Sequence, residues 1–163
     1  MTGPSTRPPL HNERGLALML SLLLMLAISA LAASMMVLSQ TETYSSMNYR
    51  MMSQARYAAE AGIHKTINYL LNTYTPPTSA SATDPLGSYD TTKSPVQYAN
   101  ATVVLSAMTG VTSNYASTAI KTAFASAAAG TLAAGTQTVS YSAKATMRSM
   151  RVVNGQTIVA WQI

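Results

Sequence analysis

Cysteine is absent from the 163 residues, which excludes thiol catalysis, Cys-ligated metals and disulfides. Carboxylates are scarce: Asp and Glu number five in all, and charged residues make up 9% of the chain, against about 25% in an ordinary soluble domain. The five are scattered, with no pair at a helix or strand spacing suited to acid–base work. Histidine occurs twice, as His11 and His64. There is no HExxH, no phosphate-cradling glycine loop and no cluster of metal-ligand types. His64, on a helical stretch with no nucleophile motif beside it, reads as a polar residue at a helix edge. These absences point away from an enzyme, and no catalytic residue, metal or cofactor is expected. One Phe and one Trp mean that any soluble core is small and drawn mostly from Val, Ile, Tyr and Ala. The net charge of +5 is spread thinly, with no run of five cations, so no nucleic-acid partner is expected.

Three further absences coincide. No charged residue lies between Gly15 and Thr41, no Pro between Leu10 and Thr75, and no Gly between Gly15 and Gly62. The stretch Leu16–Leu38 is 23 residues long, and only Ser21, Ser29 and Ser34 in it are polar. As a helix it spans about 34 Å, enough for a hydrocarbon core of about 30 Å. Leu, Met and Ala are good helix formers, and serine hydroxyls can bond back to their own helix. A membrane-spanning helix is therefore predicted over 16–38. Past Glu42 the sequence becomes amphipathic. Met47, Met51, Ala55, Ala58, Gly62, Ile63, Ile67, Leu70 and Leu71 recur mostly at spacings of three and four, with Arg50, Arg56, Glu60 and Lys65 mostly between them. Arg56 and Glu60 can pair weakly at four apart. Pro76-Pro77 ends the helix. One helix from about Leu16 to about Asn72 follows, and its apolar face is expected to pack on a β-hairpin of the same domain.

The remainder reads in short pieces. Residues 76–98 form a Pro/Ser/Thr/Asp loop. Ala101–Ser106 is a strand candidate, and Asn114–Ala129 a helix candidate ended by Gly130. Val139, Tyr141, Ala143, Ala145 and Met147 alternate with polar residues, and Asn154-Gly155 separates two β-rich runs. A hairpin with arms near 139–153 and 156–163 is predicted, because Asn-Gly tolerates positive φ at both turn positions. The fold class is α+β: a long N-terminal transmembrane and amphipathic α-helix packed on a small antiparallel β-sheet domain. The expected organisation is a leader over 1–15, a transmembrane half over 16–38, an amphipathic half over 39–75, a loop over 76–98 and a small α+β domain over 99–163. The triplet Asn100-Ala101-Thr102 matches a glycosylation acceptor, a pattern frequent by chance.

A basic leader ending in Arg14-Gly15, followed at once by a long apolar helix, is the layout of a type IV prepilin. Two segments resemble the PilX-type minor pilin family and its relatives among the large type II secretion pseudopilins. One is Glu13-Arg14-Gly15-Leu16-Ala17-Leu18. The other is Gln54-Ala55-Arg56-Tyr57 running into Ala58-Ala59-Glu60-Ala61-Gly62, similar to the Ala-Ala-Glu-Ala-Gly segment of that family. The resemblance covers about residues 13–70. It implies a pilin-like fold and a prepilin peptidase that cuts after Gly15, leaving Leu16 as a methylated N-terminus. It further implies an inner-membrane anchor with the N-terminus cytoplasmic and the C-terminal domain periplasmic, and partners among other pilins or pseudopilins. Major pilins carry Glu at the fifth position after the cleaved Gly. Leu20 stands there in this chain, which implies a minor, priming or tip component rather than filament bulk. Independently of the resemblance, Ser29/Ala33 and Ala30/Ser34 are small-xxx-small pairs that allow close helix approach. Two other readings remain open: export by a signal peptide cut at Ala30-Leu31-Ala32, or a plain single-pass anchor for a small periplasmic binding domain.

Overall fold

The structure, a computed structural model, describes residues 13–163 with Thr136 excepted. Residues 1–12 of the leader, with Arg7 and His11, lie outside the described residues. The chain divides into two units, Met1–Arg50 and Met51–Ile163, and helix α1, Glu13–Asn72, runs through the boundary between them.

In the first unit every side chain from Gly15 to Arg50 is exposed. Leu, Met and Ala supply helix propensity along it. The hydroxyls in and just past its apolar stretch bond within the helix: Ser29 Oγ donates to Met25 O at 2.8 Å, Ser34 Oγ to Ala30 O at 2.9 Å and Thr41 Oγ1 to Val37 O at 2.9 Å. Ser21 does the same toward Leu18 O at 2.8 Å. No hydroxyl of the apolar stretch therefore needs water, which is the condition for placing it in lipid.

The second unit begins with the last turns of α1, where burial appears. Ala58, Gly62, Thr66 and Tyr69 are the buried positions, at helical spacings of four, four and three. This corrects the apolar face expected from periodicity. Met51, Ile63, Ile67 and Leu71 are 53%, 44%, 37% and 77% exposed. Thr66 can replace an aliphatic residue on the buried face because its Oγ1 donates to Gly62 O at 2.8 Å. After Asn72 the amides of Thr73 and Tyr74 both bond to Tyr69 O, and Pro76 blocks continuation.

The stretch 76–98 holds more than a loop. It carries a 3-10 turn over Leu86–Ser88 and the strands β1 (Tyr89–Asp90) and β2 (Gln97–Tyr98). With β3 (Ala101–Thr102) they form an antiparallel sheet of order β1-β2-β3. Strand β4 is Val104–Ser106, followed by α2 (Thr118–Ala127), whose first turn is capped by Ser117 accepting from the Ile120 amide. The predicted long arm 139–153 is divided at Ala143 into β6 (Gln137–Ser142) and β7 (Lys144–Val153). β6 pairs with β5 (Ala129–Ala134), while β7 lies between β4 and β8 (Gln156–Gln162). Ala143 is the switch: its amide donates to Ala128 O and its carbonyl accepts from Ala107 N.

Val103, between β3 and β4, ties the sheets together. Its amide donates to Val96 O, its carbonyl accepts from Met147 N, and Met147 O accepts from Val96 N. All three side chains are fully buried. Around them pack Tyr69 of α1 and Tyr74 just past its end, Phe124 of α2 and Ala128 at its C-cap, Leu105 of β4, and Tyr89, Tyr115, Ala145 and Met150. The core is thus built from Val, Leu, Met, Ala and aromatics. Isoleucine, expected within it, supplies no fully buried side chain.

Two of the tight hairpins use two consecutive positive-φ residues, Ala99-Asn100 at φ 48° and 62° and Asn154-Gly155 at 50° and 78°. Asn and Gly suit this conformation, whereas the Cβ of Ala99 is strained in it. Ala99→Gly is expected to stabilise the fold by about 0.5–1 kcal/mol. Chemical denaturation of the two proteins side by side checks it; equal or lower stability of the variant contradicts the turn assignment.

Candidate functional site: the N-terminal helix and its seat

Arg14, Gly15 and Leu16 lie in the first turns of α1, and Leu16 is 65% exposed. The helix from Gly15 is long and apolar enough to cross a membrane, and its apolar stretch is nowhere buried. Leu20 is 61% exposed within it. Ser29, Ala30, Ala33 and Ser34 are all exposed, and the serine hydroxyls turn back onto the helix. What these pairs present outward is therefore small and apolar.

The segment Ala58–Gly62 is placed differently. Ala58 and Gly62 are buried, Ala61 is half-buried, and Ala59 and Glu60 are exposed. Glu60 accepts from Arg56 Nε at 3.0 Å on the surface, a pair of small energetic weight. Gly62 sits under the ring of Tyr141 on β6, where an added Cβ would come within 3.1 Å of the ring. On β5, Gly130 lies against the same tyrosine, and a Cβ there would meet its hydroxyl oxygen at 2.5 Å. The Tyr141 ring is therefore bounded by two glycines that leave room for it, one on α1 and one on β5. The two small residues of the segment form the seat, and its charged residue faces solvent.

A second cluster anchors the end of α1. Asp84 is buried and accepts from Tyr89 Oη at 2.7 Å and from Tyr115 Oη at 2.9 Å. Tyr115 has one hydroxyl proton, so Tyr74, 3.0 Å away, donates to it. The chain Tyr74→Tyr115→Asp84←Tyr89 joins the residues just past α1, the loop, β1 and the segment before α2 through one carboxylate. Such charge-assisted bonds contribute about 1.5–3 kcal/mol each. Nothing in the local sequence marks Asp84 for this role. Its only signal is a carboxylate set between Thr83 and Pro85 in a region rich in tyrosine.

His64 and Lys65 line a shallow cleft with Asn68 and Ser126 that includes no carboxylate. Among the described residues no group of three His, Asp or Glu is placed to hold a metal. Asp84 is enclosed by tyrosines rather than open to a ligand.

These features define a class: an α+β protein with a long apolar N-terminal helix and small antiparallel sheets. Residues 14–64 match the PilX N-terminal family, so this stretch is a PilX-type N-terminal region. The match ends two residues past Gly62. No curated protein and no solved structure matches the chain.

Burial raises the phenol pKa values of Tyr69, Tyr74, Tyr89 and Tyr115 above the ordinary value near 10. At Tyr89 the bond to Asp84 adds to the effect. Below pH 10 both the folded and unfolded chains keep these protons, and the stabilisation is complete. Above it the unfolded chain releases them first, so stability falls as pH rises. In an alkaline titration these phenols should ionise together with loss of near-ultraviolet circular dichroism. Their ionisation near pH 10 with the dichroism intact would contradict the burial.

Proposed function

We propose that this protein is a non-enzymatic, minor pilin-like subunit, anchored in the inner membrane and processed after Gly15. In that role it takes part in assembly of a type IV pilus or a related secretion pseudopilus. The observation that carries the reading is the match over 14–64 falling on a helix whose apolar side chains from Leu16 to Met47 are all exposed. A helical stretch that exposes Leu, Met and Ile on every face needs lipid or other helices around it. On this reading lipid comes first and the helices of neighbouring pilins follow.

The residues then take these roles. Residues 1–15 are a cytoplasmic leader, and a prepilin peptidase recognises Arg14-Gly15-Leu16 and cuts the Gly15–Leu16 bond. The new amine of Leu16 is methylated. Residues 16–38 span the membrane, 39–75 continue into the periplasm, and the segments 76–98 and 99–163 form the periplasmic domain. Ser29, Ala30, Ala33 and Ser34 allow neighbouring helices to approach closely. Leu20, apolar where major pilins carry a carboxylate, fits a component present in few copies. The Ala58–Gly62 segment holds the helix against the domain through Tyr141.

Gly15→Val tests the reading, because a branched side chain at the cleaved position should stop the peptidase. Co-expressed with a prepilin peptidase, the native protein is expected to migrate faster by the loss of its leader, and the variant should keep its precursor mobility. Equal mobility of the two, with or without the peptidase, would overturn processing at Gly15.

A further inference from the structure

Strand β8 is the outer strand of the β4-β7-β8 sheet and pairs only with β7. The two-residue turn makes Val153 and Gln156 a hydrogen-bonded pair. By alternation, the backbone N–H and C=O groups of Thr157, Val159 and Trp161 point away from β7. Among the described residues no other backbone group bonds to them. Edge strands are ordinarily blunted by charge, proline or a bulge. Gln156–Ile163 contains no charged residue and no proline, and the register shift of this hairpin, at Met147/Ser149, falls on β7. Beside the bare edge runs an apolar cleft of about 380 Å³, lined in part by Ile67, Leu70, Leu71, Val159 and Trp161.

We propose that this edge is a self-pairing surface, on which β8 of a second copy pairs antiparallel with β8 about Val159 and joins two three-stranded sheets into one of six. A strand is the occupant because only a strand satisfies a row of outward main-chain groups while placing alternate side chains over the cleft. A second copy is the strand because β8 is complementary to itself. Centred on Val159, the outward groups of each copy meet those of the other. Thr157 falls opposite Trp161, Ile158 opposite Ala160 and Gln156 opposite Gln162, so bulky residues meet smaller ones and no charges oppose. The nearest cation in the ladder, Arg151, pairs with Ile158 on β7. Across the joined sheet it lies about three strand spacings, roughly 14 Å, from the second copy's β7, beyond a screening length of about 8 Å. Val159 and Trp161 of each copy, packed against its own core, come to lie beside the other's cleft.

The absence of native cysteine makes the test direct. Ile158 and Ala160 are exposed, and in the proposed pair residue 158 of each copy faces residue 160 of the other within disulfide reach. Within one chain the two positions are about 7 Å apart, too far to bridge. Full-length Ile158→Cys/Ala160→Cys protein in detergent micelles, oxidised with copper phenanthroline, is expected to give a reducible homodimer. It should form about tenfold faster than with Ala119→Cys/Ser126→Cys on α2, two exposed positions about 10 Å apart along the helix, too far to bridge within one chain and with no pairing to hold them near a second copy. Ile158→Lys/Ala160→Lys, at the same exposed positions, sets like charges opposite each other and should lower the dimer fraction in sedimentation while leaving the circular dichroism unchanged. Three results would overturn the proposal: cross-linking no faster than the α2 pair, a product whose mass includes another protein, or a dimer fraction that the lysines leave unaltered.

Discussion

The structure depends first on a mismatch between an apolar surface and water. Nine leucines lie between Leu16 and Leu38, and from Gly15 to Arg50 no side chain is buried within the chain. Removing one leucine side chain from water is worth about 1.5–3 kcal/mol. The unmet driving force along this stretch therefore exceeds the whole stability of an ordinary domain, about 5–15 kcal/mol. Every local feature of the segment agrees with its being met outside the chain. Charges stop at Arg14 and resume at Glu42. Glycine and proline are absent from the interior of the span, and each serine hydroxyl is returned to its own helix.

The second unit solves the opposite problem, a core with few bulky aliphatic residues. Aromatic side chains fill it, several of them at edge-to-face angles. Tyr69 meets Phe124 at 5.7 Å and 84°, and Tyr74 meets Trp161 at 5.6 Å and 87°, arrangements that add about 0.5–1.5 kcal/mol each beyond burial. Their hydroxyls need partners once buried. Asp84 supplies two acceptor oxygens and so organises Tyr89 and Tyr115 directly and Tyr74 through Tyr115. One carboxylate thus sets the geometry of three rings, and through Tyr74 it holds the chain just past the end of α1.

The α+β class was legible because it rests on long or chemically distinctive signals. These are the uncharged run 15–41, the alternation of Val139–Met147, and an Asn-Gly pair at 154–155. What was not legible is decided by tertiary partners. Counting apolar residues puts Ile63, Ile67 and Leu71 inside. The ring of Tyr141 instead selects the face carrying Gly62, where Thr66 is acceptable because its hydroxyl has an acceptor one turn back. The strand 139–153 breaks at Ala143 because its two backbone groups bond to Ala128 and Ala107, which the alternation does not record. Strands of two residues, such as β1 to β3, are too short to show a period, and Ala99 is not a turn residue by type. Of the candidate positions, Gly15 and the Ala58–Gly62 segment were legible as motifs, and both lie within residues 14–64. The Asp84 cluster was not, since its members lie at positions 74, 84, 89 and 115 and only the fold brings them together.

The central claim is that the apolar helix stays with the mature protein and begins at Leu16. N-terminal sequencing and intact mass of the protein recovered from membranes of cells that make a prepilin peptidase test it most directly. The account predicts a chain beginning at Leu16 and heavier by one methyl group. A chain beginning at Ala33, or an uncut one beginning at Met1, would contradict it.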